Sequence, residues 1–416
     1  MSRLRRYYAL RACGSQAENL LQFVIPLIVF QHTGSAAWSG LAFFVEWLPR
    51  LVLMPVSGPL VDHFGVRRTY LVAEAIRCVA ATLALAALAG GGHDTVLVAI
   101  IGLALVAGAG ADLIFLAGEK AVRVLATAEQ TSRAQSVCGG IDQATILVAP
   151  VLGGLLVAWL GVGAVGLVGV LFLANLLLAA TTADPHAGAD TRPPLRVRTV
   201  AGQLAAGARR MWRAPILRVL VAVTMGVNLL IGLVLTATPA WVLSRYDRPA
   251  GYVSTVFAVA GLTSLAMLTL TPWLIRRFGL PRVGAVTALV PCAAIALCGT
   301  DPGYPVFLCL AVLVLASTTV FTVFIRTVRA KVVPVADFGT VTGVILVFNF
   351  LSLPVSGLLL AAWTSWSLSL PALYLVVGTG TGLGCLVGLR RLRRLMPQRR
   401  RADGGWLVPA LDGDAA

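Results

Sequence analysis

Long apolar stretches, separated by short polar ones, run through the whole chain and limit the folds open to it more than any other feature. About a dozen of them approach 20 residues, the length that an α-helix needs to cross a bilayer. Of the 416 residues, 58% are hydrophobic and 12% are charged, whereas soluble globular proteins carry about 25% charged residues. The sequence therefore predicts an all-α integral membrane protein with twelve transmembrane helices.

The basic residues are distributed unevenly between the polar connections. The net charge is +16, which in a soluble protein would suggest nucleic-acid binding. Here Arg67-Arg68, Arg276-Arg277 and the tail from Arg390 lie in alternate connections, and the turns 91–94 and 301–303 contain no Lys or Arg. Cytoplasmic loops carry such an excess of basic residues. We therefore expect a multi-pass protein in a lipid bilayer, with both termini cytoplasmic and no nucleic-acid partner.

The two halves of the chain resemble each other. Phe64-Gly65 recurs as Phe278-Gly279 after 214 residues, and Pro150 recurs as Pro354 after 204. Val122-Arg123, Trp159 and Asn19-Leu20-Leu21 have similar counterparts in the second half. Such matches, in order and at nearly constant spacing, indicate a duplicated six-helix unit and hence two pseudo-symmetric halves around an axis along the membrane normal.

The longest connection divides these halves. It changes from a loop with Pro193-Pro194 into a basic amphipathic stretch around Met211 and Trp212, which is typical of a helix lying in the membrane interface. We predict an N-terminal six-helix half at 1–182, a cytoplasmic linker with an amphipathic helix at 183–215, a C-terminal six-helix half at 216–389 and a basic cytoplasmic tail at 390–416.

The connection after the second apolar stretch carries a recognisable motif. Residues 58–68 read Gly-Pro-Leu-Val-Asp-His-Phe-Gly-Val-Arg-Arg. This resembles the signature loop between the second and third helices of major facilitator superfamily transporters, except that His63 stands where the family has Arg or Lys. The segments 33–36, 48–50 and 207–215 are similar to the bacterial exporter branch, which includes enterobactin exporters and macrolide-efflux-type proteins. The degenerate span-five sequence 149–154 is weakly similar to an antiporter signature.

The resemblance implies a conformational latch formed by Gly58, Asp62, Gly65, Arg67 and Arg68. In the family the acid that corresponds to Asp62 lies near the N-terminus of span eleven, where the helix dipole stabilises a carboxylate. The glycines would permit close helix approach and a tight turn. Asp337, at the start of that span, would compete for the same helix end. Alternatively, Arg67 and Arg68 only anchor the loop on the cytoplasmic side.

Charged residues within the predicted spans lie almost entirely in the first half. A charge at mid-bilayer costs at least ~2.5–3.5 kcal/mol. We therefore expect each charged residue in a span to have a functional or structural role. Glu18 is the best candidate for proton coupling, against a structural acid that binds a neighbouring helix. The spacing of Glu46 and Arg50 predicts an ion pair on one helix face. Asp142 is either a second proton site or a partner of Arg50, and Asp112 is a further candidate with an equally plausible interfacial role.

Polar side chains at helical spacing mark possible walls of a substrate cavity. In span one, Glu18 shares a stripe with Ser15, Asn19 and Gln22, and such a stripe faces protein or water rather than lipid. The corresponding candidates in the second half are Thr224, Asn228, Asn349 and Ser352. These residues either bind substrate or form hydrogen bonds between helices.

The resemblance implies secondary active transport by alternating access, usually proton-driven export. We expect proton-coupled efflux of a small amphipathic molecule, such as a siderophore, an antibiotic or another secondary metabolite, from a monomer in the bacterial inner (plasma) membrane. The expected partners are protons, the substrate and the bilayer, with the proton gradient as energy source and no cofactor or metal. The alternatives are a proton-coupled nutrient importer of the same fold, or a non-transporting sensor or scaffold. No residue group supports an enzyme.

Overall fold

The computed structural model of the protein describes residues 3–125, 131–182, 197–333, 338–395, 399–400 and 406–407. The described residues form thirteen α-helices, with a short 3₁₀ turn at Gly161–Ala164, a π-helical turn at Ala240–Arg245 and two paired two-residue strands, β1 (Arg399–Arg400) and β2 (Trp406–Leu407). The helices are α1 (Arg3–Thr33), α2 (Ala36–Phe64), α3 (Val66–Gly90), α4 (His93–Leu125), α5 (Thr131–Leu160), α6 (Val165–Ala180), α7 (Val197–Arg213), α8 (Pro215–Pro239), α9 (Gly251–Phe278), α10 (Leu280–Cys298), α11 (Tyr304–Val332), α12 (Phe338–Ser365) and α13 (Leu370–Leu395).

The predicted all-α membrane fold is confirmed. Eleven apolar segments within the described residues are long enough to cross a membrane, and one of them, Val137–Ala180, is 44 residues long. A helix of that length would measure about 66 Å, roughly twice the thickness of the hydrocarbon core. The 3₁₀ turn divides this segment between α5 and α6, so the described chain contains twelve apolar helices. The remaining helix, α7, is the basic amphipathic segment.

The chain forms two compact units that do not follow its order strictly. The first unit comprises Met1–Val197, Leu235–Ala258 and Gly357–Ser365, and the second comprises Arg198–Val234, Val259–Ser356 and Trp366–Ala416. The end of α8, the start of α9 and the end of α12 thus pack with helices α1 to α6. Inside the first unit, the ring of Phe23 contacts that of Phe257 edge-on, with centroids 5.3 Å apart.

Helix α1 lies at the centre of the first unit, where it packs against α2, α4, α5 and α6. Its side chains Leu20, Leu21 and Val24 are fully buried. Helix α2 also packs closely on α4, because Gly108 allows the backbone of Glu46 to approach so nearly that a Cβ atom at position 108 would overlap its carbonyl oxygen. The acidic side chains of α1 and α2 are therefore held in a close-packed interior.

In the second unit, α10 packs against α11 and α13, and hydrogen bonds join α8 to its neighbours. The side-chain amide of Asn228 donates to the carbonyl oxygen of Asn349 on α12 over 3.0 Å. The hydroxyl of Tyr374 on α13 donates to the carbonyl oxygen of Leu233 over 3.3 Å. These bonds satisfy polar groups that would otherwise be buried without partners, which is costly in an apolar interior.

Two equivalent turns reflect the internal repeat. Gly65 joins α2 to α3 with φ 84° and ψ 157°, and Gly279 joins α9 to α10 with φ 80° and ψ 146°. This part of conformational space is essentially restricted to glycine, so the predicted tight turn at Gly65 is present. The expected close helix approach at Gly58 is wrong, because a Cβ atom there would meet nothing within 4 Å.

We expect Gly65→Ala to lower stability by about 1–3 kcal/mol, because alanine is strained in this conformation. Thermal unfolding of the purified protein in detergent would measure the loss as a lower Tm. Gly58→Ala is the matched control, since it lies inside α2 in open space and removes a glycine from a helix. A Tm of Gly65→Ala equal to or above that of Gly58→Ala would contradict the assignment.

A charged cluster buried in the first unit

Glu18 on α1 is the carboxylate that brings the buried charges together. Its Oε1 accepts a hydrogen bond from Nη1 of Arg50 on α2 over 3.0 Å, and its Oε2 accepts one from Nη2 of Arg77 on α3 over 2.9 Å. Gln22, one helical turn further along α1, donates to Oε1 over 3.3 Å. Glu18 thereby ties three helices together through charge-assisted hydrogen bonds, which are stronger than neutral ones.

Arg50 extends the cluster to α4. Its Nε donates to Oδ1 of Asp112 over 3.0 Å, and its guanidinium lies 4.7 Å from the ring centroid of Trp47. Arg50 therefore lies between two carboxylates on two other helices. The predicted ion pair with Glu46 is wrong: Arg50 pairs with Glu18 and Asp112 instead, because the side chains from α1 and α4 converge on it across the helix interfaces.

Arg77 is almost completely buried, with 1% of its side chain exposed. Besides Glu18, it donates to the carbonyl oxygen of Ala107 and lies 5.1 Å from the ring centroid of Phe172. Glu74, three residues earlier on α3, is 4.0 Å from Nη1 of Arg77 and accepts a hydrogen bond of 2.6 Å from Asn175 on α6. The cluster thus reaches every helix of the first half except α5.

Glu46 is the unusual member of the cluster. It is 2% exposed, and within the described part of the chain neither of its carboxyl oxygens has a hydrogen-bond partner. Glu18, Arg50 and Arg77 are close enough to act on its charge. An isolated carboxylate is expensive to bury, and such a group becomes neutral by binding a proton instead.

The balance of charges in this cluster favours bound protons. It holds four carboxyl groups, Glu18, Glu46, Glu74 and Asp112, and two guanidinium groups, Arg50 and Arg77. Two positive charges can compensate two carboxylates. An excess of two negative charges in an apolar interior would be costly, so the remaining two carboxyl groups can stay buried most readily in their protonated form.

A second charged group lies about two helical turns closer to the start of α1. Arg11 donates from Nε and Nη2 to the two carboxylate oxygens of Asp142 on α5 over 2.9 and 2.6 Å, and its Nη1 is 2.8 Å from Glu119 on α4. Ser15 also donates to Asp142 over 3.1 Å. The suggested pairing of Asp142 with Arg50 is therefore wrong, since the planar guanidinium of Arg11 already binds this carboxylate at both oxygens.

Several candidates for the substrate cavity bind protein groups in the structure. In α1, Asn19 donates to Thr145 of α5 over 3.1 Å, and Ser15 and Gln22 donate to Asp142 and Glu18. In the second unit, Ser352 donates to the carbonyl oxygen of Asn349 over 2.7 Å and Thr224 to that of Leu220 over 2.8 Å. Hydrogen bonding within the protein is thus present at these positions, and substrate binding there stays a prediction.

The signature loop forms its own ion pair. Nζ of Lys120 on α4 lies 2.5 Å from Oδ1 of Asp62, whose side chain is 51% exposed. Arg67 donates to the carbonyl oxygen of Ala180 at the end of α6 over 2.9 Å. Arg67 therefore binds a protein group as well as lying in a basic loop. Asp337 lies outside the described residues. The role of the loop as a latch stays a prediction.

Sequence reasoning missed Arg11, Glu119, Lys120 and Asn175 as members of these groups. Arg11 and Glu119 lie near the ends of their apolar stretches, where charges are usually explained by the membrane surface. A signal was nevertheless present, because Arg11, Ser15, Glu18 and Gln22 recur every three or four residues and so lie along one side of α1. Clusters of three or more His, Cys, Asp or Glu suited to a metal ion do not occur among the described residues.

Twelve apolar helices built from a duplicated unit, with buried charges concentrated in one half, define a polytopic membrane transporter. The sequence profile of the Major Facilitator Superfamily matches residues 8–357. The chain belongs to this superfamily, as its signature loop and internal repeat suggested, and this membership identifies it as a transporter and a multi-pass membrane protein.

Curated relatives and solved structures are consistent with this assignment. The chain is 27% identical over 225 residues to the multidrug efflux pump Tap of Mycolicibacterium fortuitum, a match that covers 53% of this chain and 54% of that one. The chain thus spans about half the length of the curated relatives it matches. A bacterial homologue of the iron transporter ferroportin is 16% identical, with a TM-score of 0.68 over 94% of this chain and 98% of that one. A D-xylose–proton symporter is 13% identical, with a TM-score of 0.70 over 93% and 97%.

The Arg11–Asp142 pair can be tested by a double-mutant cycle. We expect Arg11→Gln to lower stability by about 3 kcal/mol, because removing one partner of a buried ion pair leaves an uncompensated charge. Asp142→Asn should also destabilise, and the double variant should lose less than the sum of the two single changes. The readout is Tm in detergent, with Arg6→Gln as the control, since half-buried Arg6 donates to the carbonyl oxygen of Thr181 and forms no ion pair within the described residues. Additive losses would show that the two groups are not coupled.

Proposed function

We propose that the protein is a proton-coupled exporter of small amphipathic molecules that works by alternating access. The single observation that carries this proposal is the buried cluster around Glu18, in which four carboxyl groups share two arginines. Buried ionisable residues in membrane proteins mark proton and substrate pathways. Export is supported by the similarity of about half the chain to relatives named multidrug efflux pumps.

Glu46 is the group proposed to take up and release the coupling proton. It has no hydrogen-bond partner among the described residues, so a proton can leave it without first breaking a contact. Once ionised, it would attract Arg50, one turn further along the same face of α2. Arg50 would then be drawn away from Glu18 or Asp112. Loss of a proton would in this way weaken contacts that hold α2 to α1 and α4.

Glu18 has a different part in this scheme from the one that its sequence position suggests. Its carboxylate accepts hydrogen bonds from two guanidinium groups at 2.9 and 3.0 Å, which fix its position against α2 and α3. Glu18 would act as the fixed negative centre around which the arginines move. Asp112 would act as the second hydrogen-bond acceptor of Arg50. Asp142, which pairs with Arg11, would hold α1 against α5.

The cargo is proposed to be uncharged or weakly charged and largely apolar. In the second unit, Asp301 at the turn between α10 and α11 is the sole carboxylate that the structure describes. The buried polar groups of its helices are hydroxyls and amides, including Thr224, Asn349 and Ser352. These groups suit an antibiotic-like or siderophore-like metabolite with hydrogen-bonding groups better than a multiply charged solute.

The remaining parts of the proposal follow from the charge distribution and the bacterial relatives. The protein would work as a monomer in the bacterial plasma membrane with both termini in the cytoplasm, where its basic connections would lie. The proton gradient would supply the energy without any cofactor. Its partners would be the bilayer, protons and the substrate, with no nucleic acid.

The proposal is tested by proton movement in acid-loaded inside-out vesicles, measured with a pH-sensitive dye in the lumen. Adding a transported antibiotic, siderophore or other amphiphile outside the vesicles should make the lumen more alkaline, because protons leave as substrate enters. Proton release that requires substrate inside the lumen would indicate the importer instead. No response to a broad panel, from protein shown to be folded and inserted, would count against proton-coupled transport of these classes.

We expect Glu46→Gln to abolish this proton movement, at least tenfold below the wild-type rate, while Tm changes little, because glutamine fills the same space without losing a hydrogen bond. Glu18→Gln should instead lower Tm, since it weakens two contacts with arginines. Asp94→Asn, at the exposed start of α4, is the matched control. Wild-type proton movement by Glu46→Gln would remove Glu46 from the mechanism.

A further inference from the structure

Two clefts on the helix surfaces have the same construction, one in each unit. The first, of about 500 Å³, lies between α2, α3 and α4. The second, of about 780 Å³, lies between α9, α10 and α11. Both have mostly apolar walls, and each has arginine at one end: Arg68 in the first cleft, and Arg282 and Arg393 in the second.

The two clefts occupy equivalent positions of the internal repeat. All eight residues that α2 and α3 contribute to the first cleft have counterparts, 214 residues later, that line the second. The pairs include Leu60 and Leu274, Phe64 and Phe278, and Arg68 and Arg282. A surface groove that arose by chance in one half would not be expected to recur position by position in the other.

The arginines at the cleft ends carry charges that pair with no carboxylate of the described residues. The ion pairs of the described residues do not include Arg68, Arg282 or Arg393, and all three side chains are exposed. Asp301, at the opposite end of α10, is the one described carboxylate of the second unit. Within the described ranges, the cleft ends therefore carry positive charge that no carboxylate pairs with, and an anion would fit there.

The dimensions suit a lipid. From Arg68 to Ile76, or from Arg282 to Val290, a helix rises about 12 Å, somewhat less than half of the ~30 Å hydrocarbon core. The walls along this length are apolar and partly exposed, with Val72 54% and Val286 57% exposed. The arginines lie at helix ends. The distribution of basic residues assigns these helix ends to the cytoplasmic side, where anionic headgroups collect.

We propose that each cleft binds one anionic phospholipid of the cytoplasmic leaflet, with its phosphate on Arg68 or on Arg282 and Arg393 and one acyl chain along the apolar wall. The guanidinium group can donate two parallel hydrogen bonds to a phosphate. The lipids would occupy the same position on the two halves and would lie beside helices that alternating access has to move. This site is separate from the buried cluster around Glu18.

Native mass spectrometry of the full-length protein, released from detergent micelles with added phosphatidylglycerol, tests the proposal. The wild type should retain two lipid molecules. Arg68→Gln should retain one, the pair Arg282→Gln with Arg393→Gln should retain one, and the triple variant should retain none. The matched control is Arg277→Gln with Arg394→Gln, which removes two exposed arginines next to the second cleft that do not line it, and it should retain two.

A second pair of variants examines the apolar wall without changing charge. Val286→Trp should fill the second cleft and lower phosphatidylglycerol retention to one molecule, whereas Val376→Trp, at an exposed valine of α13 outside the clefts, should not. Equal retention by all variants, or equal retention of phosphatidylcholine, would overturn the proposal. Displacement of the lipid by a transported amphiphile at equal concentration would reassign the clefts to substrate.

Discussion

The carboxylate of Glu18 holds the first half of the molecule together, because two arginines from different helices share it in an apolar interior. Arg50 and Arg77 reach it at 3.0 and 2.9 Å, and Arg50 also binds Asp112. A single one of these charges, buried without the others in the apolar interior of a membrane protein, would be costly. Each therefore requires the others, and the packing of α1, α2, α3 and α4 is coupled to a single network of ion pairs.

The same constraint explains why the cluster suits transport. Ion pairs at this depth are costly to break singly, but they can exchange partners, since one arginine faces more than one carboxylate. A group such as Glu46, which has no partner of its own, can change the balance by gaining or losing one proton. The second unit has no comparable group of charges among its described residues, so the two halves differ chemically although they share one ancestral repeat.

The repeat also shapes the surfaces that face lipid. Gly65 and Gly279 adopt nearly the same backbone angles at equivalent turns, and the helices that follow them begin with arginine at the same position of a cleft. Duplication thus preserved features set by backbone geometry and by the membrane surface. It did not preserve the interior charges, which among the described residues are concentrated in the first unit.

The sequence alone determined the all-α membrane fold, the twelve apolar helices and the internal repeat, because apolar length and periodicity are local properties. It also predicted Glu18, Glu46, Arg50, Asp112 and Asp142 as candidate site residues, since charges within apolar stretches are readily seen. Only the tertiary structure decided their partners. Spacing along α2 favoured Glu46 as the partner of Arg50, but side chains from α1 and α4 compete for the same guanidinium. Such contacts between helices depend on packing angles and close approaches, such as that at Gly108, which no single helix encodes.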